Sequence, residues 1–243
     1  MKIIKLNATD STNSFLKELA QTSALENYTI VTTENQVAGR GQQQNSWHSK
    51  PSKNLTMSVF IVFENLFIKH QKYLNFAVSL AIYKTLLAYN IPNLSIKWPN
   101  DILSANKKLC GILIENVIKS VKIKSSIIGI GLNVNQETFP NHLPNAISIK
   151  NCIQKEIDVS ILLEEIVIKL KEKIELLTTH QFDVLQQQYL DVLYKKNIPS
   201  MFKNARNVLF MGIIKNISSD GKLQVELEDA SIKEFGIKEI SFV

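Results

Sequence analysis

Apolar and polar positions along the 243-residue chain alternate in two distinct rhythms, and each rhythm predicts its own kind of element. Residues 3–6 suit a short strand, and "DSTNSFLKELA" then offers capping side chains ahead of Phe15, Leu16 and Leu19 on one helical face. "YTIVTTE" and "NLTMSVFIVF" read as strands on either side of a glycine-bearing loop. From residue 71 to 89, Leu74, Ala77, Val78, Ala81, Ile82 and Leu86 keep helical spacing, while Leu80, Tyr83 and Leu87 fill another side. Such a helix is expected inside the core.

Residues 95–135 are strand-rich, with "LCGILIENVIK" and "SSIIGIGLNVN" forming the two halves of an expected hairpin. In the second half Ile128, Ile130, Leu132 and Val134 point one way, and Gly129, Gly131, Asn133 and Asn135 the other. Glycine inside a strand gives up packing, so it marks close approach by either a ligand or a neighbouring strand. After a loop at residues 139–151, an amphipathic helix is expected over 159–177, with Lys169, Lys171, Lys173 and Glu175 on its wet side; another helix is expected over 182–193. Past "YKKNIPS" only short strands remain, one pair joined by a turn at "SSDG". The expected class is α+β: a mixed sheet with helices over residues 1–194, and a small barrel of five short strands over 195–243.

The 45% hydrophobic content and a mean hydropathy near zero fit a globular protein. The formal charge of +6 comes from lysines scattered along the chain, where a nucleic-acid arm would show a block. Cys110 and Cys152 are too few for a disulfide framework and lack metal-ligand spacing. "MKIIKLNATD" holds no apolar signal region, and no stretch approaches the roughly 18 apolar residues of a membrane span. The expectation is a soluble cytoplasmic protein with no membrane contact.

Three clusters could carry chemistry. In "GRGQQQNSW", Gly39 and Gly41 let backbone amides approach an anion, and Arg40 adds a planar donor fork; alone, such a tripeptide is more often an ordinary turn. Trp47 suits either a core anchor or a flat surface for a ring. In "KWPNDI", Asn100 and Asp101 offer oxygen to a hard cation and Lys97 adds a charge, although a plain turn explains the same residues. In "KKLCGILIE", Lys107 or Lys108 could be held over a pocket at a strand edge. Together with the glycine-faced strand ending in Asn133, these are parts for binding a nucleoside triphosphate beside a second anion. Neither the P-loop nor the dinucleotide pattern is present.

The chain resembles the biotin protein ligases, also called biotin–[acetyl-CoA-carboxylase] ligases. In family order it carries "STN" at Ser11 to Asn13, "NQVAGRGQ" at Asn35 to Gln42, Trp47, "KWPND" at Lys97 to Asp101, "KLCGILIE" at Lys108 to Glu115 and "GIGLNVN" at Gly129 to Asn135. The tail is similar to the family's C-terminal SH3-like barrel. The resemblance implies a catalytic domain of the biotin/lipoate ligase type, akin to class II aminoacyl-tRNA synthetases. It implies that biotin and MgATP form biotinyl-5′-adenylate and that a lysine of a biotin carboxyl carrier protein then takes the biotinyl group. By motif, Ser11, Thr12, Asn13 and Gln36 meet biotin, Arg40, Gly41 and Gln42 belong to a loop that orders over it, and Gly111, Gly129 and Gly131 line its pocket. Lys108 lies between carboxylate and α-phosphate, Lys97, Asn100 and Asn133 serve ATP, Trp47 packs at the adenine, and Asp101 holds magnesium.

Two departures from the family pattern stand out. Many relatives have arginine where this chain has Gln42, which removes a fixed charge from the loop. Only ten residues precede "STN", too few for the operator-binding domain of some relatives, so no DNA partner is expected; the oligomeric expectation is a monomer or weak homodimer. The rival readings are a lipoate ligase, a basic nucleic-acid-binding module and a non-catalytic biotin-binding protein. The tryptophan-bearing loop, "KWPND" and the terminal barrel favour biotin over lipoate.

Overall fold

In the computed structural model, which describes residues 2–243, the strands form two sheets. The larger is built from β1 (Ile3–Thr9), β2 (Thr29–Gln36), β3 (Leu55–Phe67), β4 (Leu94–Lys97), β5 (Asp101–Ser104), β6 (Lys107–Lys119) and β7 (Lys122–Leu132). Its order is β1-β2-β3-β7-β6-β5-β4, with β1 parallel to β2 and every other pair antiparallel. The long β6–β7 hairpin, paired from Cys110–Leu132 to Lys119–Lys122, is the one the alternation predicts.

Because side chains alternate along a strand, the sheet has two apolar faces to cover. Met57, Val59, Ile128 and Ile130 join the main core, which α2 (Gln71–Leu87), α4 (Val159–Thr178) and α5 (Phe182–Asp191) close. Burial of α2 on nearly all sides, from Leu74 to Leu86, agrees with its lack of a polar stripe. Val31, Phe60 and Ile127 face the other way and pack with Leu16 of α1 (Thr12–Thr22) in a smaller cluster. Gly129 and Gly131 share that second face, so α1 and the glycine wall lie on the same side.

The expected loop at 139–151 ends in an unanticipated short helix, α3 (Ile149–Ile153). Ser148 caps it, accepting from Asn151 N while the Asn151 side chain accepts from Ser148 N. Helix α5 stops at Asp191, two residues short of expectation, and Leu193 leaves the helix to bridge to Ile96.

The second sheet contains β8 (Pro199–Asn204), β9 (Leu209–Ile217), β10 (Leu223–Glu226), β11 (Ile232–Phe235) and β12 (Ile240–Phe242), in the order β11-β10-β9-β8-β12. Five strands are as expected, but the expected closed barrel is not formed among the described residues: β11 pairs with β10 and β12 with β8. The physical reason is length, since β11 has four residues and β12 three, and each spends its ladder on one neighbour. The main core continues into this sheet through Phe202, Ile214, Leu223 and Val225. Polar ties reinforce the join: Lys72 donates to Ser218 O at 2.9 Å and Trp98 Nε1 to Gly221 O at 3.1 Å. No helix among the described residues is long and apolar enough to cross a membrane.

Candidate active site

The first turn of α1 opens the site. Ser11, Thr12 and Asn13 are 4%, 3% and 3% exposed, and burying three consecutive polar side chains is unfavourable unless each is partnered. Ser11 caps the helix by accepting from Ser14 N. Thr12 donates its backbone N–H to Gln36 Oε1 at 2.9 Å. The hydroxyl of fully buried Ser58 lies 2.6 Å from Asn13 Oδ1 and 2.7 Å from Thr12 Oγ1. The Asn13 amide nitrogen donates to Glu115 Oε2 at 2.8 Å. A carboxylate only accepts, so this bond fixes which way the amide faces.

The glycine wall is what brings Asn13 and Trp47 close to the sheet. A Cβ on Gly129 would stand 2.4 Å from Asn13 Oδ1, and one on Gly131 would stand 2.4 Å from Trp47 Cε2. The indole therefore lies directly on β7, with its Nε1 buried and without an acceptor, and Lys108 Nζ is 5.6 Å from its ring centroid. Of the two readings of these glycines, ligand or neighbouring backbone, the neighbours turn out to be two side chains that line a cleft.

The loop before Trp47 is hairpin-like: Gly41 N donates to Asn45 O, Trp47 N to Gly39 O, and Arg40 bridges to Ser46. Arg40 Nη2 reaches Glu115 Oε2 at 2.8 Å. On the opposite rim, Asn75 of α2 donates to Pro99 O, Ile112 N donates to Asn100 O, and Asn100 Nδ2 donates to Ile112 O, which clamps the "PND" turn. A bulge between Ile102 and Leu103 in the β5–β6 ladder shifts the register next to Lys108. Lys108 Nζ meets Asp101 Oδ1 at 2.7 Å, a charge contact without the alignment of a hydrogen bond. Lys107, by contrast, is exposed.

These elements enclose a cavity of about 220 Å³, below the roughly 300–1,000 Å³ typical of ligand pockets. Ser11, Thr12, Asn13, Gln36, Arg40, Gly41, Gln42, Trp47, Asn100, Asp101, Lys108, Gly111, Gly129 and Gly131 all line it. Two expected residues do not. Lys97 ends the edge strand β4, and its ammonium sits 5.5 Å over the Phe242 ring of β12, away from the cleft. Asn133 is buried; its amide nitrogen donates to Ile147 O and, at 3.4 Å, to Lys108 O, bracing the backbone under Lys108, while its Oδ1 has no partner.

The structure adds residues that motif reading passed over. Ser58 sits within an apolar run, Glu115 at the end of another, and Ile237 and Lys238 reach the cleft from the turn between β11 and β12. Lys238 Nζ donates to Gln43 O at 3.2 Å. Glu115 closes the "KLCGILIE" string directly after Ile112, Leu113 and Ile114, but nothing beside it in sequence gives it a role.

Cys110 lies beside this machinery, yet burial pushes its thiol well above the usual range; Asp101 adds to the rise, and Lys108 only partly opposes it. Burial raises Cys152 too, and its hydrogen-bond contact with Ser104 Oγ only partly opposes the rise. Since thiolate is the reactive form, both cysteines are expected to resist iodoacetamide at pH 8 in the folded protein and to label fully in denaturant. Rapid native labelling of Cys110, read by mass spectrometry, would contradict this.

Among the described residues no group of three or more His, Cys, Asp or Glu is placed to hold a metal. Asp101 is a lone carboxylate in the cleft wall whose Oδ1 has no aligned donor. That suits magnesium, which commonly uses one or two carboxylates together with substrate phosphates.

Comparison with known proteins places this arrangement. A model described as the Biotin/lipoate A/B protein ligase family matches residues 6–133. The bifunctional ligase/repressor BirA of Bacillus spizizenii is 30% identical over 245 residues, covering 98% of this chain and 71% of its own. The biotin–[acetyl-CoA-carboxylase] ligase of Mycobacterium tuberculosis is 31% identical over 131 residues, covering 53% of this chain and 47% of its own. The structure of biotin protein ligase from Aquifex aeolicus in complex with biotin and ATP superposes with a TM-score of 0.80 at 25% identity, covering 100% of this chain and 98% of that one.

Proposed function

The chain belongs to the Biotin/lipoate A/B protein ligase family, and from that premise we propose that its cleft activates biotin with ATP and hands the biotinyl group to a lysine of a biotin carboxyl carrier protein. One observation carries the reading: Arg40, Lys108 and Asp101, from three separate segments, converge on a single cleft also lined by buried Thr12 and Asn13 and half-buried Gln36, with Ser58 bonded behind them. Such a network can hydrogen-bond a ureido ring. The dithiolane of lipoate has no N–H or carbonyl to offer and would add no hydrogen bond to this network, which favours biotin.

In the first step a biotin carboxylate oxygen bonds to the α-phosphorus of ATP as the bond to pyrophosphate breaks. Both partners are anionic, so their approach requires fixed positive charge. Lys108 supplies it from the cleft floor and Arg40 from the loop. Magnesium, arriving with ATP, would be held by Asp101 with the Asn100 carbonyl beside it and would neutralise phosphate charge. In the second step the carrier lysine attacks the acyl carbon and AMP leaves. That amine, with a reference pKa near 10.4, must first lose a proton; once magnesium has left with pyrophosphate, Asp101, the one carboxylate among the described residues lining the cavity, is the candidate to accept it.

The cavity holds one small ligand as the loop now stands, so the segment from Gly41 to Trp47 shifts outward to admit a nucleotide and closes again to exclude water. In the same reading residues 1–194 are the ligase domain and residues 195–243 an SH3-like unit that lends Ile237 and Lys238 to the cleft edge. Two free thiols suit a reducing cytoplasm.

The test is one incubation with radiolabelled biotin, MgATP and a carrier domain, with and without a hundredfold excess of lipoate. Label should enter the carrier in an ATP-dependent way and should persist in the presence of lipoate. Carrier that stays unlabelled, or that takes lipoate instead, would overturn the reading.

A further inference from the structure

Glu115 is the most heavily engaged acid near the cleft, yet it is not one of the residues lining the cavity. It belongs to the face of β6 shared by Gly111 and Leu113, while Ile112 joins the main core on the opposite face. A carboxylate with only 25% of its side chain exposed needs hydrogen-bond donors. Glu115 Oε2 accepts from both Asn13 Nδ2 and Arg40 Nη2, at 2.8 Å each, and Lys17 Nζ stands 4.0 Å from Oε1. One oxygen thus joins the buried end of the cleft to the loop across its mouth. The chain of contacts runs from Ser58 through Asn13 and Glu115 to Arg40.

Two consequences follow from donor counting. With its nitrogen bonded to Glu115, Asn13 presents Oδ1 toward Ser58; without a carboxylate there, only the long 3.4 Å bond from Asn13 Nδ2 to Leu113 O would mark the nitrogen's side of the amide. Arg40 has five N–H donors, and only Nη2 is bonded to Glu115, so the guanidinium is aimed while its other nitrogens remain available to an incoming anion. The pair therefore orients Arg40 and leaves it able to work.

We infer that Glu115 is a positioning residue for biotin recognition, setting the Asn13 amide and the Arg40 loop together so that the site is formed before the ligand arrives. This rests on the biotin-activating reading above. Its effect acts through Asn13 and Arg40 and falls first on binding, while Lys108, which makes no contact with Glu115, keeps its own place in the cleft. Pre-ordering of this kind lowers the cost of binding without adding a contact.

The experiment compares wild type, Glu115→Gln, Glu115→Asp, Asn13→Ala and the double variant Asn13→Ala/Glu115→Gln in biotin-dependent pyrophosphate exchange. Circular dichroism and thermal melting serve as the check on folding. Glu115→Gln should raise the KM for biotin about tenfold, with the KM for ATP within about twofold of wild type and kcat falling by less than the biotin KM rises, and Glu115→Asp should recover part of the loss. In the Asn13→Ala background, adding Glu115→Gln should raise the biotin KM less than threefold further, because the shared route is already broken. Trypsin cleavage after Arg40 in ligand-free protein should also be several times faster in Glu115→Gln. An unchanged or lower biotin KM in folded Glu115→Gln would overturn the inference, as would a loss confined to kcat or a full tenfold effect persisting in the Asn13→Ala background. Inactive wild type would instead count against biotin activation itself, so the two failures are distinguishable. If Glu115→Gln does not fold, Glu115→Asp carries the same comparison, and wild-type kinetics in that variant with no change in trypsin cleavage would overturn the inference.

Discussion

Lys108→Ala is expected to fold normally and to lose biotin-dependent pyrophosphate exchange by about a thousandfold, the range for removing one preorganised charge-stabilising donor. Its ammonium is the cation of the cleft floor, 2.7 Å from Asp101 and beside the Trp47 ring. A carboxylate approaching a phosphate there loses its main electrostatic counterweight when the side chain is cut back. Stability should change little, because the Lys108–Asp101 pair is partly open to solvent and exposed pairs contribute about 1 kcal/mol or less. The relevant readouts are exchange of labelled pyrophosphate into ATP and the thermal midpoint. Biotin binding measured without ATP should survive, since the buried network at Thr12 and Asn13 is untouched. Exchange at wild-type rate would remove Lys108 from the chemistry, and loss of activity together with unfolding would leave a structural role as the explanation.

Gly131→Ala should damage the other half of the site, binding, by at least about thirtyfold in the KM for biotin. A methyl group at this position would sit 2.4 Å from Trp47 Cε2, 2.6 Å from Nε1 and 2.8 Å from Cδ2. Three contacts on a rigid bicyclic ring leave it no rotamer to retreat to, so the indole must lift off β7 and carry the loop's end with it. Overpacking of this kind costs about 1–3 kcal/mol of stability, and the same displacement reshapes the cleft. The change is small chemically and large geometrically, which distinguishes it from Lys108→Ala. Titration of biotin against each variant measures the difference. Wild-type affinity in Gly131→Ala would mean that Trp47 does not set the shape of the pocket.

The features of the fold that depend on local rhythm could be read from the sequence. Period two in residues 128–134 identified β7, its core face and its glycine face; continuous apolar cover over α2 predicted a helix with no wet side. Arg40, Asp101 and Lys108 could be named because each sits in a short distinctive string, and the structure brings them to one cleft. What stayed hidden depends on partners far along the chain. Glu115 acquires its meaning from Arg40 and Asn13, 75 and 102 residues away, and Lys238 from Gln43, 195 residues away. Lys97 shows the converse: it lies next to cavity-lining residues in sequence, but it ends an edge strand and its ammonium stands over Phe242. The terminal strands showed their number but not their closure, since the ladder each strand makes depends on neighbours that periodicity does not name.

In the first step of the proposed reaction an acid oxygen of biotin bonds to the α-phosphorus of ATP. The most direct measurement uses biotin whose carboxylate carries a heavy oxygen isotope, incubated with the enzyme, MgATP and a carrier domain, with the released nucleotide analysed by mass spectrometry. The account predicts AMP in which one phosphate oxygen is heavy, because the oxygen that attacks phosphorus leaves with AMP when the carrier lysine takes the acyl group. AMP without label, or ADP as the nucleotide product, would contradict it.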